Sequence, residues 1–173
     1  MLDTLITSKT RLRLLLKFFL NSRTTSYLRD LEAEFGESTN AIRVELNRLE
    51  GAGLLASHRL GNKKIYRANS RHPLFTDIQS ILMKHTGIDM LLTRVVNKLG
   101  GLEHAYVVGD FARGQDSHTI EVLLAGSGID EHYLARISKR AEETIGRAVT
   151  YTIVDPVNLP LVLNKHPEAL TIL

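Results

Sequence analysis

The chain has 173 residues, of which 43% are hydrophobic and 24% charged, so its composition excludes a disordered or fibrous protein. It contains no cysteine, which excludes disulfides and thiolate zinc sites, and its length is generous for one compact domain, so we expect two small ones. The formal charge of +3 conceals a basic half, +6 over residues 1–72, and an acidic half, −3 over residues 73–173; this asymmetry indicates that the first half meets a polyanion.

The first predicted element is an amphipathic helix after a Ser8 cap. Leu12, Leu15, Leu16 and Phe19 follow the i, i+3, i+4, i+7 spacing of a buried helical face. The same stretch is the most apolar of the chain, but charged residues interrupt it and it is far shorter than the roughly 20 residues of a membrane helix. No signal-peptide cleavage pattern follows it. We therefore expect a cytoplasmic protein with no membrane partner and no secretion.

Two further helices are predicted across a short glycine-containing turn. The second runs from Tyr27 to Phe35, with Thr25 or Ser26 as its cap and Gly36 as its end, because a helix C-terminus favours glycine. The third, capped by Ser38 or Thr39, extends to about Gly51 and buries Ile42, Leu46 and Leu49. This arrangement predicts a helix-turn-helix.

A β-hairpin follows in "GLLASHRLGNKKIYRAN", where two β-prone runs flank Gly61 and Asn62. Both residue types accept the positive φ that a tight hairpin turn requires. The element order, together with "FGESTNAIRVELNRLEGAGLL", resembles the winged-helix domain of ArsR-like bacterial transcriptional regulators over residues 8–70. The resemblance implies binding to double-stranded DNA.

The third helix would then be the recognition helix, with a polar face opposite its buried one. Arg can bridge guanine O6 and N7, Asn can bridge adenine N6 and N7, and Val can touch a thymine methyl. Basic residues of the hairpin would contact phosphates beside the groove, and Tyr66 is expected to face the core. The residues expected at the DNA are Ser38, Thr39, Asn40, Arg43, Val44, Asn47, Arg48, Arg59, Lys63, Lys64 and Arg67.

Residues 73–89 are predicted to be a helical connector between domain 1–72 and domain 90–173. Pro73 can begin a helix that runs from Leu74 to about Thr86, and Gly87 ends it. Its apolar stripe, Leu74, Ile78, Ile81 and Leu82, can pack internally or against a second copy. Because helix-turn-helix regulators bind paired half-sites, the family resemblance implies a homodimer.

The last part of the chain alternates element types. We predict helix 90–99, strands 104–109 and 119–125, helix 130–145, strand 148–154 and a short helix after Pro156, which together form a small α/β unit. At "GDFARG" and "TIEVLL", residues 90–155 resemble the nucleotidyltransferase superfamily. That superfamily holds phosphate at a glycine-serine turn and binds two divalent ions through three carboxylates.

Several residues depart from the superfamily pattern. Gly109 is retained, but Asp110 replaces the serine, and an anion there repels a triphosphate. The two ligand positions of the second strand hold Thr119 and Glu121, and the inward positions of the third strand hold Thr150 or Thr152.

Other polar side chains around this degenerate nucleotide site do not replace the missing ligands. Arg113 has the position that steadies the turn, with Asp110 or Asp116 as its candidate partner. Asp110, His118 and Glu121 do not have the spacing of a known metal-binding pattern. We therefore expect no catalytic residue, bound metal or cofactor.

The predicted fold is α+β, a winged helix followed by a small nucleotidyltransferase-like domain. The predicted function is transcriptional regulation, with the second domain as scaffold, dimer contact or sensor of a nucleotide or another small-molecule effector. One rival is an active metal-dependent nucleotidyltransferase fused to a winged helix, which the carboxylate count opposes. A second rival is a protein-binding adaptor, which salt-dependent DNA binding would distinguish.

Overall fold

The computed structural model describes residues 2–173, apart from the side chain of Asp3. The protein belongs to the α+β class and contains two separate sheets. The chain divides into two compact units, Met1–Leu82 and Met83–Leu173. None of the described helices is long and apolar enough to cross a membrane.

The first unit begins with a short helix α1, Leu2–Leu5, and then α2, Lys9–Leu15, which continues as a π-helical turn over Leu16–Leu20. The Ser8 side chain accepts a hydrogen bond from the Arg11 amide, so the predicted cap is confirmed. Leu15, Leu16 and Phe19 of the predicted stripe are buried, whereas Leu12 is half-buried. Leu14 and Phe18, outside that stripe, also supply the core of the unit and have no exposed surface.

Helices α3, Leu28–Phe35, and α4, Thr39–Gly51, pack against each other across a three-residue turn. Gly36 ends α3 at φ +62°, a left-handed conformation that glycine adopts without strain. Ser38 caps α4 by accepting from the Ala41 amide. Ile42, Leu46 and Leu49 are buried, as predicted.

The predicted start of α3 was wrong. Thr25 and Ser26 do not cap it; with Tyr27 they form a strand, β1, Thr25–Tyr27, and α3 begins without a side-chain cap. A long-range contact explains the difference. β1 pairs antiparallel with strand β3, Lys63–Ala68, at Thr25↔Arg67 and Ser26↔Tyr66.

Strands β2, Leu55–Leu60, and β3 form the predicted hairpin, and the first sheet has the order β1-β3-β2. The turn departs from the prediction in one respect, because Gly61 has a positive φ of +61° and Asn62 does not. A positive φ at the first central residue alone is the pattern of a type II′ turn. Tyr66 is buried, as expected.

Helix α5, Phe75–Thr86, follows, and the boundary between the two units falls within it. Within the first unit, its Phe75 ring lies 5.6 Å from the Phe19 ring, and Gln79 donates to the Phe19 carbonyl. The predicted stripe is only partly internal: Leu82 is 1% exposed, whereas Leu74 and Ile81 are 52% and 49% exposed.

The second unit contains helix α6, Ile88–Arg94, followed by a 3-10 turn, Val96–Lys98. The elements that follow are β4 (Leu102–Val108), α7 (Gly109–Ala112), β5 (Thr119–Gly126), α8 (Glu131–Ile145), β6 (Ala148–Val154), a 3-10 turn (Pro156–Asn158), α9 (Leu159–Leu163) and β7 (Leu170–Thr171). The predicted helix 90–99 is therefore two shorter pieces, and β7 was not predicted.

The second sheet has the order β6-β5-β4-β7. Strands β5 and β6 run parallel and are connected by α8, while β4 is antiparallel to both of its neighbours. On one face Val108, Leu123 and Ala125 pack with Leu159 and Ala169. Helix α8 packs against β6 and α6, and its Leu134 and Ala141 are 0% and 1% exposed.

Candidate nucleic-acid interface

A groove in the first unit joins the start of α3, the exposed face of α4 and the tip of the β2–β3 hairpin. Its volume is about 410 Å³. We call it the α4–hairpin groove. Its lining residues are Tyr27, Leu28, Arg29, Arg43, Leu46, Asn47, Asn62, Lys63, Lys64 and Tyr66.

Four of the residues expected at DNA line this groove together: Arg43 and Asn47 from α4, and Lys63 and Lys64 from β3. They meet because α4 packs inward through Ile42, Leu46 and Leu49. Arg43 and Asn47 lie at the edge of this buried face beside Leu46, where the hairpin forms the other wall. The groove therefore carries amide and guanidinium donors on one wall and ammonium groups on the other, a chemistry suited to base edges and phosphates.

The other expected residues lie outside the groove but are accessible. Ser38, Thr39 and Asn40 are exposed at the start of α4, and Val44 is 39% exposed on the helix. Arg59 and Arg67 are exposed on β2 and β3. Among the described residues, Arg59 and Arg67 form no ion pair with a carboxylate, so their guanidinium groups can meet a ligand.

Of the groove residues outside the predicted set, a cation and an aromatic residue bear most on ligand binding. Arg29, the second residue of α3, adds a fourth cation, and Tyr27, the last residue of β1, adds an aromatic ring. The Lys63 ammonium lies 4.0 Å from the centre of the Tyr27 ring, and the Lys64 ammonium lies 5.1 Å from the Tyr66 ring. These rings hold both lysines at the groove by cation–π attraction.

Lys64 is also bound to an acid of α4. Its ammonium donates to the Glu50 carboxylate at 2.6 Å, and Ser57 donates to the other oxygen at 2.5 Å. The hydrogen bond from Lys64 lowers the pKa of Glu50, with Ser57 adding to the effect, and the same bond raises the pKa of Lys64. A phosphate would therefore compete with Glu50 for the Lys64 ammonium.

Glu45 connects α4 to α2 beneath the exposed face. Although it is 6% exposed, it accepts hydrogen bonds from Arg11 Nε at 2.8 Å and from Ser8 Oγ at 3.0 Å. Burial disfavours its charge, but the bonds from Arg11 and Ser8 outweigh burial and lower the pKa of Glu45. Arg48, one of the predicted DNA residues, also pairs with Glu45 at 3.2 Å, yet remains 63% exposed.

In the second unit, the structure brings together Gly109 and Glu121 of the degenerate nucleotide site. Gly109 begins α7 at φ +68°, and a Cβ there would overlap the Glu121 carboxylate. Glu121 pairs with Val108 of β4 and with Thr150 of β6. A carboxylate thus lies against the turn to which the superfamily resemblance assigns phosphate binding. Asp110 and Thr119 of the same predicted site are half-buried.

Other predictions about this site were wrong. The Arg113 side chain pairs with Glu168, at 3.9 Å, and not with Asp110 or Asp116. Asp116 pairs instead with Arg147 at 2.9 Å. These partners are distant in sequence: Arg147 directly precedes β6, and Glu168 lies in the loop between α9 and β7. Thr150 and Thr152 are exposed rather than inward. Among the described side chains, which exclude that of Asp3, no three His, Asp or Glu residues group as metal ligands.

Comparisons with protein-family models, with curated proteins and with solved structures give no significant match to this chain.

Proposed function

We propose that the first unit is a winged-helix DNA-binding domain and that the protein is a transcriptional regulator. The main support for this proposal is the α4–hairpin groove. Arg43 and Asn47 of α4 line it together with the hairpin cations Lys63 and Lys64. The helix–turn–helix–hairpin order and the +6 charge of residues 1–72 add support.

In this proposal α4 enters the major groove of the duplex. Arg43 and Asn47 hydrogen-bond to base edges, and Val44 touches a thymine methyl. Arg29, Lys63 and Lys64 bind backbone phosphates, which supplies affinity but no sequence preference. Arg59 and Arg67 extend the same positive surface along the hairpin.

We propose that the second unit has a nucleotidyltransferase-like architecture that has lost catalysis. The order β4, short helix, β5 and the closeness of Gly109 to Glu121 support the likeness. Two ions need several carboxylates to offset their mutual repulsion. The strand positions next to Glu121 hold Thr119 and Thr150 instead of further carboxylates. This lack of metal ligands supports a role as scaffold or ligand sensor and opposes catalysis.

The proposal includes a homodimer, because two copies would bind paired half-sites more tightly than one. Helix α5 and the residue before it offer a surface for it: Ile81 of α5 and Leu74, seven positions earlier, are about half exposed. Burial of such side chains against a second copy removes apolar surface from water. Ile81→Lys should therefore reduce self-association, measured by sedimentation of the full chain at micromolar concentration.

Selection of bound fragments from genomic DNA tests the proposed function. A regulator enriches one short sequence, arranged as two half-sites if the protein is dimeric. Binding without any enriched sequence would reject the regulator, and absence of duplex binding would favour the protein-binding adaptor.

A further inference from the structure

A second basic groove lies in the second unit and shares no residue with the Gly109 turn. Its volume is about 270 Å³, near the lower end of small-ligand pockets. We call it the α6–α8 groove. Its lining residues are Arg94, Lys98, Tyr133, Arg136, Ile137 and Arg140.

The α6–α8 groove is set by helix periodicity and packing. Tyr133, Arg136, Ile137 and Arg140 have the i, i+3, i+4, i+7 spacing that places them on one face of α8. Arg94 ends α6 and Lys98 ends the following 3-10 turn. The packing of α6 against α8 brings the two sets together, and Arg94 Nη1 donates to Thr144 Oγ1 at 3.4 Å.

The charges of this groove are unbalanced. Four of the nine Lys and Arg of residues 73–173 line it, although that segment has an excess of acids. Among the described residues, none of the four forms an ion pair with a carboxylate. Like charges on one helix face repel each other, so an anion that bridges them relieves a cost already present in the fold.

The chemistry of the lining defines the anion. Three of the four cations are arginines, whose planar guanidinium groups donate two parallel hydrogen bonds to phosphate oxygens. Tyr133 and Ile137 are half-buried between them and provide an apolar floor. The Arg136 guanidinium lies 5.2 Å from the Tyr133 ring centre, which restricts where it can point.

We propose that the α6–α8 groove binds a small anion that carries two or more linked phosphate groups. Its source is either a nucleotide, whose ring would lie on the Tyr133 floor, or an inorganic polyphosphate. This site is independent of DNA binding by the first unit, so either proposal can fail without the other.

Calorimetric titration of the full chain tests this site. The ligands are tripolyphosphate, ATP, and AMP as the single-phosphate comparator. Arg140→Gln and Arg136→Gln each remove a cation from the groove, and Lys139→Gln is the matched control, because Lys139 is exposed on the same helix but does not line the groove. The double variant Lys63→Gln/Lys64→Gln controls for binding in the first unit.

We expect saturable binding of tripolyphosphate or ATP, about tenfold or more tighter than binding of AMP. Arg140→Gln and Arg136→Gln should each weaken it about tenfold, and both controls should leave it unchanged within twofold. Tighter binding of ATP than of tripolyphosphate identifies a nucleotide as the source, and the reverse order identifies a polyphosphate.

Three results would overturn the proposal. The first is the absence of saturable binding to both ligands. The second is equal weakening by Arg140→Gln and by either control, which would mean nonspecific charge attraction. The third is that the two arginine variants weaken only duplex DNA binding, which would make the groove a second nucleic-acid surface.

Discussion

Individual side chains at the α4–hairpin groove divide into those that can read bases and those that can only attract phosphates. Arg43 and Asn47 have donors that match base edges, whereas Lys63 and Lys64 are point charges at a hairpin tip. Both classes line one groove. Substitutions can separate their contributions, because base contacts determine sequence preference and phosphate contacts determine affinity for any duplex.

Arg43→Ala or Asn47→Ala should lower the preference for the selected sequence over random duplex by about 1–3 kcal/mol, the cost of one lost bidentate base contact. Competition measured by fluorescence anisotropy gives this preference directly. Arg71→Ala, an exposed cation of the same unit outside the groove, should leave it unchanged. An equal loss on both DNAs would place the reading face elsewhere.

Glu50 restrains Lys64, one of the residues that we propose to bind phosphate, because its carboxylate holds the ammonium at 2.6 Å. Glu50→Gln weakens this pairing and removes a negative charge beside the duplex. Affinity for random duplex should rise several-fold at low salt, because Lys64 can then bind a phosphate without giving up a carboxylate partner.

Asp77→Asn is the control for Glu50→Gln, since Asp77 is an exposed acid of the same unit outside the groove. An unchanged or weaker affinity in Glu50→Gln would show that Lys64 does not meet phosphate.

At the scale of helices and strands, Glu45 joins α4 to α2 through Arg11 and Ser8. Glu45→Gln should destabilise the fold by about 1–3 kcal/mol at pH 7, the range for hydrogen bonds to a charged group. Urea unfolding measures the loss, and Glu103→Gln, an exposed acid of β4, is the control.

The pH dependence of this loss has a definite sign. The pKa of Glu45 is lowered in the folded chain, so its contribution is present above the unfolded value of about 4.3 and disappears as the pH falls through the lower folded value. The difference between wild type and Glu45→Gln should therefore shrink below about pH 4. A difference that stays constant to pH 3 would contradict the role of the charged carboxylate.

Elements with local signals were predicted from the sequence. Ser8, Ser38 and Gly36 set helix ends through hydrogen bonds and backbone conformations within one turn of the chain. By contrast, β1 and β7 contain three and two residues. They form because distant strands pair with them. Segments this short have no periodicity from which a strand could be predicted.

The same distinction applies to the grooves. Arg43 and Asn47 were predicted from the exposed side of one helix, whereas Arg29 and Tyr27 line the α4–hairpin groove only because β1 pairs with β3. In the α6–α8 groove, the spacing of Arg136 and Arg140 is visible in the sequence. Arg94 and Lys98 reach the same groove through helix packing, which the sequence does not show.

Across the whole molecule, a basic first half and an acidic second half predict different ligands for the two units. With magnesium or manganese and any of the four nucleoside triphosphates, the full chain should transfer no nucleotide to itself, to RNA or to protein. Asp110 and the Glu121 carboxylate place negative charge at the turn where phosphate would bind.

A gel of all products formed with radiolabelled triphosphates measures this transfer. Metal-dependent labelling that disappears in Glu121→Ala and persists in Arg140→Gln would establish the active nucleotidyltransferase. Triphosphate binding without transfer, lost in Arg140→Gln, agrees with both of our proposals for the second unit.

The salt dependence of duplex binding tests the central claim most directly. The logarithm of the binding constant of the full chain should fall linearly with the logarithm of salt concentration, because bound phosphates release counterions. Lys63→Gln/Lys64→Gln should flatten this line by about two units, one for each lost phosphate contact, while Lys139→Gln should leave it unchanged. Absence of duplex binding at low salt, or an identical slope in the double variant, would contradict a winged helix that binds DNA.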